Sequence, residues 1–226
     1  MAALLDCIEL ETGAQPRHSV IWLHGLGADG RDFEPIVPEL VPRHWAPLRF
    51  VFPNAPMRAI TVNGGMRMRG WYDIGGVDLA SKQDAVGVRA SIDGINALIA
   101  REGERGIPPE RIILAGFSQG GAITLAAGLR QRTPLLGLIA LSTYLPLNST
   151  FPAEAASESK DVPIFMGHGR FDSVVPEALG VMSRDWIKAL GNPIEWHTYP
   201  MPHSVCAEEI RDISKWLEVR LAASAV

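Results

Sequence analysis

The stretch Arg111-Ile-Ile-Leu-Ala-Gly-Phe-Ser-Gln-Gly-Gly-Ala-Ile-Thr-Leu-Ala-Ala-Gly128 sets two patterns back to back. Ile112–Phe117 is a short apolar run that opens on two β-branched residues and ends on an aromatic one, which reads as a strand buried on both faces. Gly121–Gln131 reads as a helix. The junction is Gly116-Phe117-Ser118-Gln119-Gly120, a G-x-S-x-G. Small residues two places either side of Ser118 let strand and helix approach, and the sharp turn between them lifts the serine hydroxyl to the strand's end. The free N–H groups and positive dipole end of the helix then face any oxyanion forming beside that hydroxyl. Ser118 is thus the candidate nucleophile. The competing reading is an idle serine on a glycine-flanked surface turn.

Outward from this junction the same alternation continues. Val20–Leu23, Phe50–Phe52, Leu135–Leu141, Ile164–Met166 and Ile194–Tyr199 read as further strands. Ser81–Glu102, Pro176–Leu190 and Ala207–Leu221 read as helices. The first of these opens with Ser81 and Asp84 at capping-box spacing and sets Val88, Ile92, Ile95 and Ile99 on one face. Strands alternating with helices predict an α/β fold, with a mostly parallel central sheet and helices on both faces, in one domain over residues 1–226. Asn54–Gly76 and Pro146–Pro163 break the rhythm. Each follows a strand, where open parallel sheets place their ligands.

A serine hydroxyl needs a base, and the base needs a carboxylate to orient it. In α/β-hydrolases these follow the serine in the order acid, then histidine, at the ends of later strands. The loop after Ile164–Met166 carries Asp172, and the loop after Ile194–Tyr199 carries His203. The rival acids fit less well, because Asp161 precedes its strand and Asp185 lies within a helix. His168, one turn from Asp172, is expected to hydrogen-bond the loop that presents the acid. Val20–Leu23 runs into His24-Gly25-Leu26-Gly27, so the backbone N–H groups of Leu26 and Gln119 are the candidate oxyanion donors. Within 54–76, read as a lid and acyl-pocket loop, Met57, Met66, Met68 and Trp71 are candidate substrate-binding residues. Methionine suits walls that accept apolar groups of varied shape. Arg67 and Arg69 alternate with Met66 and Met68, which predicts one apolar and one charged face.

Composition narrows the alternatives. The 226 residues carry 21 basic and 25 acidic side chains, a net charge of −4, which argues against nucleic acid as a partner. The 47% apolar content is that of a globular chain. The longest apolar run, Leu135–Leu141, is far shorter than a membrane span, and Met-Ala-Ala-Leu-Leu-Asp lacks the basic start of a secretory signal. The expectation is a cytoplasmic protein in which Cys7 and Cys206 are free, buried thiols. His18, His44 and His197 have no companion at metal-ligand spacing, so no metal is expected.

Several segments together resemble one family. His24-Gly-Leu-Gly, Arg111-Ile-Ile-Leu-Ala, Gly116-Phe-Ser-Gln-Gly-Gly and Leu141-Ser-Thr-Tyr-Leu-Pro resemble the carboxylesterase and acyl-protein thioesterase family of α/β-hydrolases, with bacterial carboxylesterases most alike. So do Val62-Asn-Gly-Gly, Trp71-Tyr-Asp-Ile, His168-Gly-x-x-Asp-x-Val-Val-Pro and Tyr199-Pro-Met-x-His. The resemblance implies a Ser118–Asp172–His203 triad and an oxyanion hole at Leu26 and Gln119. It also implies hydrolysis of carboxylic esters or thioesters, no cofactor, and often a homodimer. Pro202 and Ser204 depart from it, standing where the family usually has Gly and Glu. The leading expectation is a carboxylesterase acting on short-to-medium acyl chains. An acyl-protein thioesterase or lysophospholipase would use the same site, and a non-catalytic binding module on the same fold is the reading from another class.

Overall fold

The computed structural model describes residues 4–76 and 83–223. In chain order the strands are β1 (Cys7–Glu11), β2 (His18–Leu23), β3 (Leu48–Pro53), β4 (Met57–Ile60), β5 (Met66–Arg69), β6 (Ile112–Phe117), β7 (Gly137–Leu141), β8 (Ile164–Gly169) and β9 (Ile194–Tyr199). The helices are α1 (Val37–Leu40), α2 (Ala85–Glu104), α3 (Gln119–Gly128), α4 (Phe151–Glu154), α5 (Glu177–Ala189) and α6 (Ala207–Ala223). Seven strands form the central sheet in the order β1-β3-β2-β6-β7-β8-β9, and all but β1 run parallel. The expected α/β-hydrolase architecture is the observed one.

Side-chain alternation along β2 shows why the sheet needs cover on both faces. Val20 and Trp22 enter one apolar core with Phe50, Phe52 and residues of α1 and α6. Ile21 and Leu23 enter the other, with residues of α2, α3 and α5. Helix α3 is buried along its whole length, which its small residues Gly120, Gly121, Ala122, Ala126 and Ala127 permit. Edge strand β9 departs from expectation, since only Tyr199 in it is fully buried.

The order of strands reverses between β2 and β6: the chain builds outward to β3 on one side and to β7, β8 and β9 on the other. At such a switch point the loops after the two neighbouring strands part and leave a crevice at their carboxyl ends. Those loops are His24–Gly27 and the Ser118 turn.

Three expectations are corrected in detail. The segment 54–76 is not structureless, because β4 and β5 pair as an antiparallel hairpin with Met57 opposite Arg69 and Ile60 opposite Met66. Helix α2 starts at Ala85, with Asp84 as its cap accepting from the Gly87 N–H at 2.8 Å. The expected partner cap Ser81 lies outside the described residues. Cys7 and Cys206 are free but half-buried rather than buried.

Candidate active site

Ser118 stands between β6 and α3 with φ 55° and ψ −121°, a conformation that side-chain-bearing residues rarely adopt. The surroundings hold it there. Its N–H donates to the Leu141 carbonyl at 2.9 Å, and its carbonyl accepts from the Ala122 N–H at 3.0 Å and the Thr143 hydroxyl at 2.7 Å. The flanking glycines are a steric requirement: a Cβ on Gly120 would overlap the Leu23 and His24 carbonyls, and one on Gly116 would meet the Gly120 backbone at 2.5 Å.

Three predicted residues converge here. His203 Nε2 lies 2.8 Å from Ser118 Oγ, and its Nδ1 lies 2.7 Å from Asp172 Oδ2. This network assigns the proton to Nδ1, which donates to the carboxylate and leaves Nε2 to accept from the hydroxyl. The Phe117 ring packs on the imidazole with centroids 4.7 Å apart. Asp172 is buried, and its second oxygen accepts from the Val174 and Val175 N–H groups at 2.9 and 2.8 Å, so the carboxylate cannot rotate away. His168 Nε2 donates to the Val175 carbonyl at 2.8 Å and thereby holds the loop that presents the acid, as expected. On the base's own loop, the Ser204 N–H bonds to the Pro202 carbonyl at 2.9 Å, a tight turn centred on His203.

The loop after β2 lies against this group, with Gly25 packed on Phe117 and Ser118. No acceptor among the described residues takes the Leu26 or Gln119 backbone N–H. The clamp that positions this loop was not anticipated from sequence. His24 is buried; its Nε2 accepts from the Ala55 N–H at 3.0 Å, and its Nδ1 donates to the Gly25 carbonyl at 2.6 Å. Burial holds the imidazole below its usual range, consistent with this neutral tautomer. The Gln119 side chain accepts from the Trp71 N–H and donates to the Tyr72 carbonyl, both at 2.7 Å. The Trp71 indole N–H donates to the His24 carbonyl at 2.8 Å.

Trp71 is therefore not an open acyl wall. It is fully buried and ties the loop after β2 to the segment that carries the hairpin. The methionines divide as well. Pairing in β4–β5 puts Met66 and Met68 on one face with Arg58 and Ile60, and Met57 on the other with Arg67 and Arg69. The expected split into an apolar and a charged face is thus incomplete. Met57 and Met66 are exposed, whereas Met68 is partly covered and borders Gly27 of the loop after β2. Two apolar side chains not singled out from sequence, Phe171 and Val174, stand exposed on either side of Asp172.

One titratable group lies beneath this region. Glu209, in the first turn of α6, packs against Gly167 of β8, fully buried, with neither carboxyl oxygen accepting a well-formed hydrogen bond. Burial pushes its carboxyl up to about 8; the Cys206 amide opposes this and the Asp212 charge adds to it. Nearby, the strained Ser142 (φ 46°) also buries a hydroxyl that has no partner among the described residues.

Residues 5–221 match the phospholipase/carboxylesterase family. The chain belongs to that family. Within it, the chain is 41% identical to acyl-protein thioesterase 1 of Neurospora crassa, over 98% of this chain and 95% of that one. It is 40% identical to acyl-protein thioesterase 1 of Mycosarcoma maydis, over 93% and 94%. Among solved structures, SOBER1 of Arabidopsis thaliana superposes with a TM-score of 0.86 at 32% identity, covering 91% of this chain and 99% of that one. Acyl-protein thioesterase 2 of Zea mays gives 0.82 at 25%, covering 96% and 99%. Membership of this phospholipase/carboxylesterase family makes the protein a hydrolase. The motifs quoted from its sequence fall within the matched span.

Proposed function

We propose that the protein is a serine acyl hydrolase that cleaves carboxylic esters of short-to-medium acyl chains through an acyl-enzyme on Ser118. The observation that carries this is the continuous relay from Ser118 Oγ through both ring nitrogens of His203 to Asp172, at 2.8 and 2.7 Å. In the first half-reaction His203 Nε2 takes the hydroxyl proton as Ser118 Oγ attacks the acyl carbon. Asp172 holds the imidazole and offsets its positive charge. The Leu26 and Gln119 N–H groups receive the oxyanion, and His203 passes the proton to the leaving alcohol or thiol. Water activated by the same nitrogen then attacks the acyl-enzyme and releases the acid. No step calls for a cofactor. The face of the hairpin bearing Met66 and Met68 borders the acyl chain, with Met68 beside the oxyanion loop; Met57, on the opposite face, has no part in this wall.

A second reading, an acyl-protein thioesterase, is favoured by the names of the relatives about 40% identical to this chain. The chemistry is unchanged and only the leaving group differs. Labelling Ser118 with a fluorophosphonate tests the mechanism, and an unlabelled, inactive Ser118 would refute it. A panel of oxygen esters and thioesters of graded acyl length separates the two readings by which leaving group gives the higher kcat/KM.

A further inference from the structure

At the end of the sheet remote from Ser118, a cavity of about 330 Å³ opens at the amino ends of β2, β3 and β6, closed by the last turns of α6. Arg111 and Ser118 flank opposite ends of β6, so cavity and nucleophile are about 20 Å apart. The walls are of two kinds. Trp45, Leu48 and Leu221 supply apolar surface, and Arg17 and Arg111 supply guanidiniums. Neither guanidinium has an ion-pair partner among the described residues, whereas Arg49, Arg101, Arg105 and Arg130 all have one. Their charges converge: burial first, then Arg111 and Arg17, hold the His18 imidazole in the same wall below its usual range. Glu218 also lines the cavity, without pairing to either arginine. The Trp45 Nε1–H is shielded from water and has no acceptor among the described residues.

We propose that this cavity binds a medium-chain organic carboxylate, its head between Arg17 and Arg111 and its alkyl chain along Trp45, Leu48 and Leu221. A planar guanidinium matches a carboxylate with two parallel hydrogen bonds, and two of them beside an apolar wall select an anion with a hydrocarbon body. A neutral alcohol lacks the charge, and an alkylammonium is repelled by both arginines. The volume lies at the lower end of small-molecule sites. Binding here does not depend on the hydrolase reading. If that reading holds, the ligand is of the class of its acid product.

The test is calorimetric titration of the whole protein with octanoate, with octanol and octylammonium as comparison ligands. Wild type should bind octanoate and neither comparison ligand. Arg17→Gln and Arg111→Gln should each weaken binding about tenfold or more, and the double variant should abolish it. Ester hydrolysis should be unchanged in all three, because both residues lie far from Ser118. Arg17 is exposed, so its variant tests the idea even if Arg111→Gln folds poorly. Octanoate binding that survives both substitutions overturns the proposal, as does equal binding of octylammonium or no octanoate binding by wild type at millimolar concentration. Labelling of Ser118 is a separate readout, so failure here leaves the hydrolase reading standing.

Discussion

Glu209→Gln should make the protein more resistant to alkali while leaving it almost unchanged in mild acid. The Glu209 carboxyl is buried against Gly167 with no well-formed hydrogen bond, and burial pushes it up to about 8 from an ordinary value of 4.5. The charged and titratable neighbours, Asp212 on the same helix and Tyr199 on β9, disfavour its ionisation or are raised by it. Between pH 4.5 and about 8 the folded protein therefore keeps a proton that the unfolded chain has released. The stability linked to that proton is fully present below pH 4.5. It falls by up to ~1.4 kcal/mol per pH unit across the window and is lost above about 8, so ~5 kcal/mol is the ceiling. Glutamine of nearly the same shape has no proton to lose. Even half the ceiling corresponds to a Tm gap of roughly 5–10 °C for a chain this long. Thermal melts of both proteins at pH 5, 6.5, 8 and 9 measure it. Curves that agree at pH 5 and diverge by pH 9, with the variant higher, are the expected result. A difference that stays constant from pH 5 to 9 would refute the reasoning.

Other outcomes follow from the site. Ser118→Ala should keep the fold and lower kcat by about 10⁶-fold, and Asp172→Asn by about 10⁴-fold, as read by steady-state ester hydrolysis; a tenth of wild-type activity in Ser118→Ala contradicts the mechanism. Gly120→Ala should destabilise the fold and abolish activity, because its Cβ overlaps two carbonyl oxygens of the β2 end; a variant that melts and hydrolyses like wild type means that the elbow tolerates bulk. Gln119→Ala removes two buried hydrogen bonds and should cost ~2–4 kcal/mol in denaturant unfolding, with kcat falling more than KM changes; an unchanged kcat would separate the clamp from the oxyanion loop. Met68→Ala should lower kcat/KM for octanoyl esters more than for acetyl esters, by up to about fourfold per buried CH₂, and an equal loss on both would make the hairpin scaffolding.

The candidate site was legible in outline because each part rests on a local rule. Strand β6 and the turn at Ser118 follow from a buried apolar run leading into G-x-S-x-G, and Asp172 and His203 from their places after β8 and β9. What escaped depends on long-range pairing. Strand β1 alternates polar and apolar residues at an edge, with Glu9 and Glu11 turned to partners such as Arg105 and Arg49, so no apolar run marks it. The β4–β5 hairpin is written mostly in Met and Arg, not in the β-branched and aromatic residues that mark strands. Its one local sign was Asn63-Gly64-Gly65, a turn sequence between two short segments. Trp71 could not be placed on inside or outside by period alone, and the Gln119 and His24 clamps join residues 31 to 48 positions apart. Glu209 gave no sign of burial, since Ala207-Glu-Glu is an ordinary acidic helix start.

The hairpin is tied at its base and again at Thr61 and Val62, whose groups bond Asp73 and the Ile74 carbonyl, so only its extreme tip is loose. Its base is tied where the Arg69 carbonyl accepts from Gly27 at 2.8 Å and the Trp71 amide donates to Gln119. At its tip Gly64 and Gly65, with φ 65° and 78°, have nothing within 4 Å of where a Cβ would stand. The chain can accordingly be lengthened at the tip without displacing Ser118, Asp172 or His203, whereas a side chain placed on Gly64 or Gly65 itself meets a left-handed backbone that favours glycine. A change of length between Gly64 and Gly65 reshapes the outer rim of the hairpin and leaves the anchor at Gly27, Trp71 and Gln119 in place. For the engineer, the tip is the place to graft a loop library.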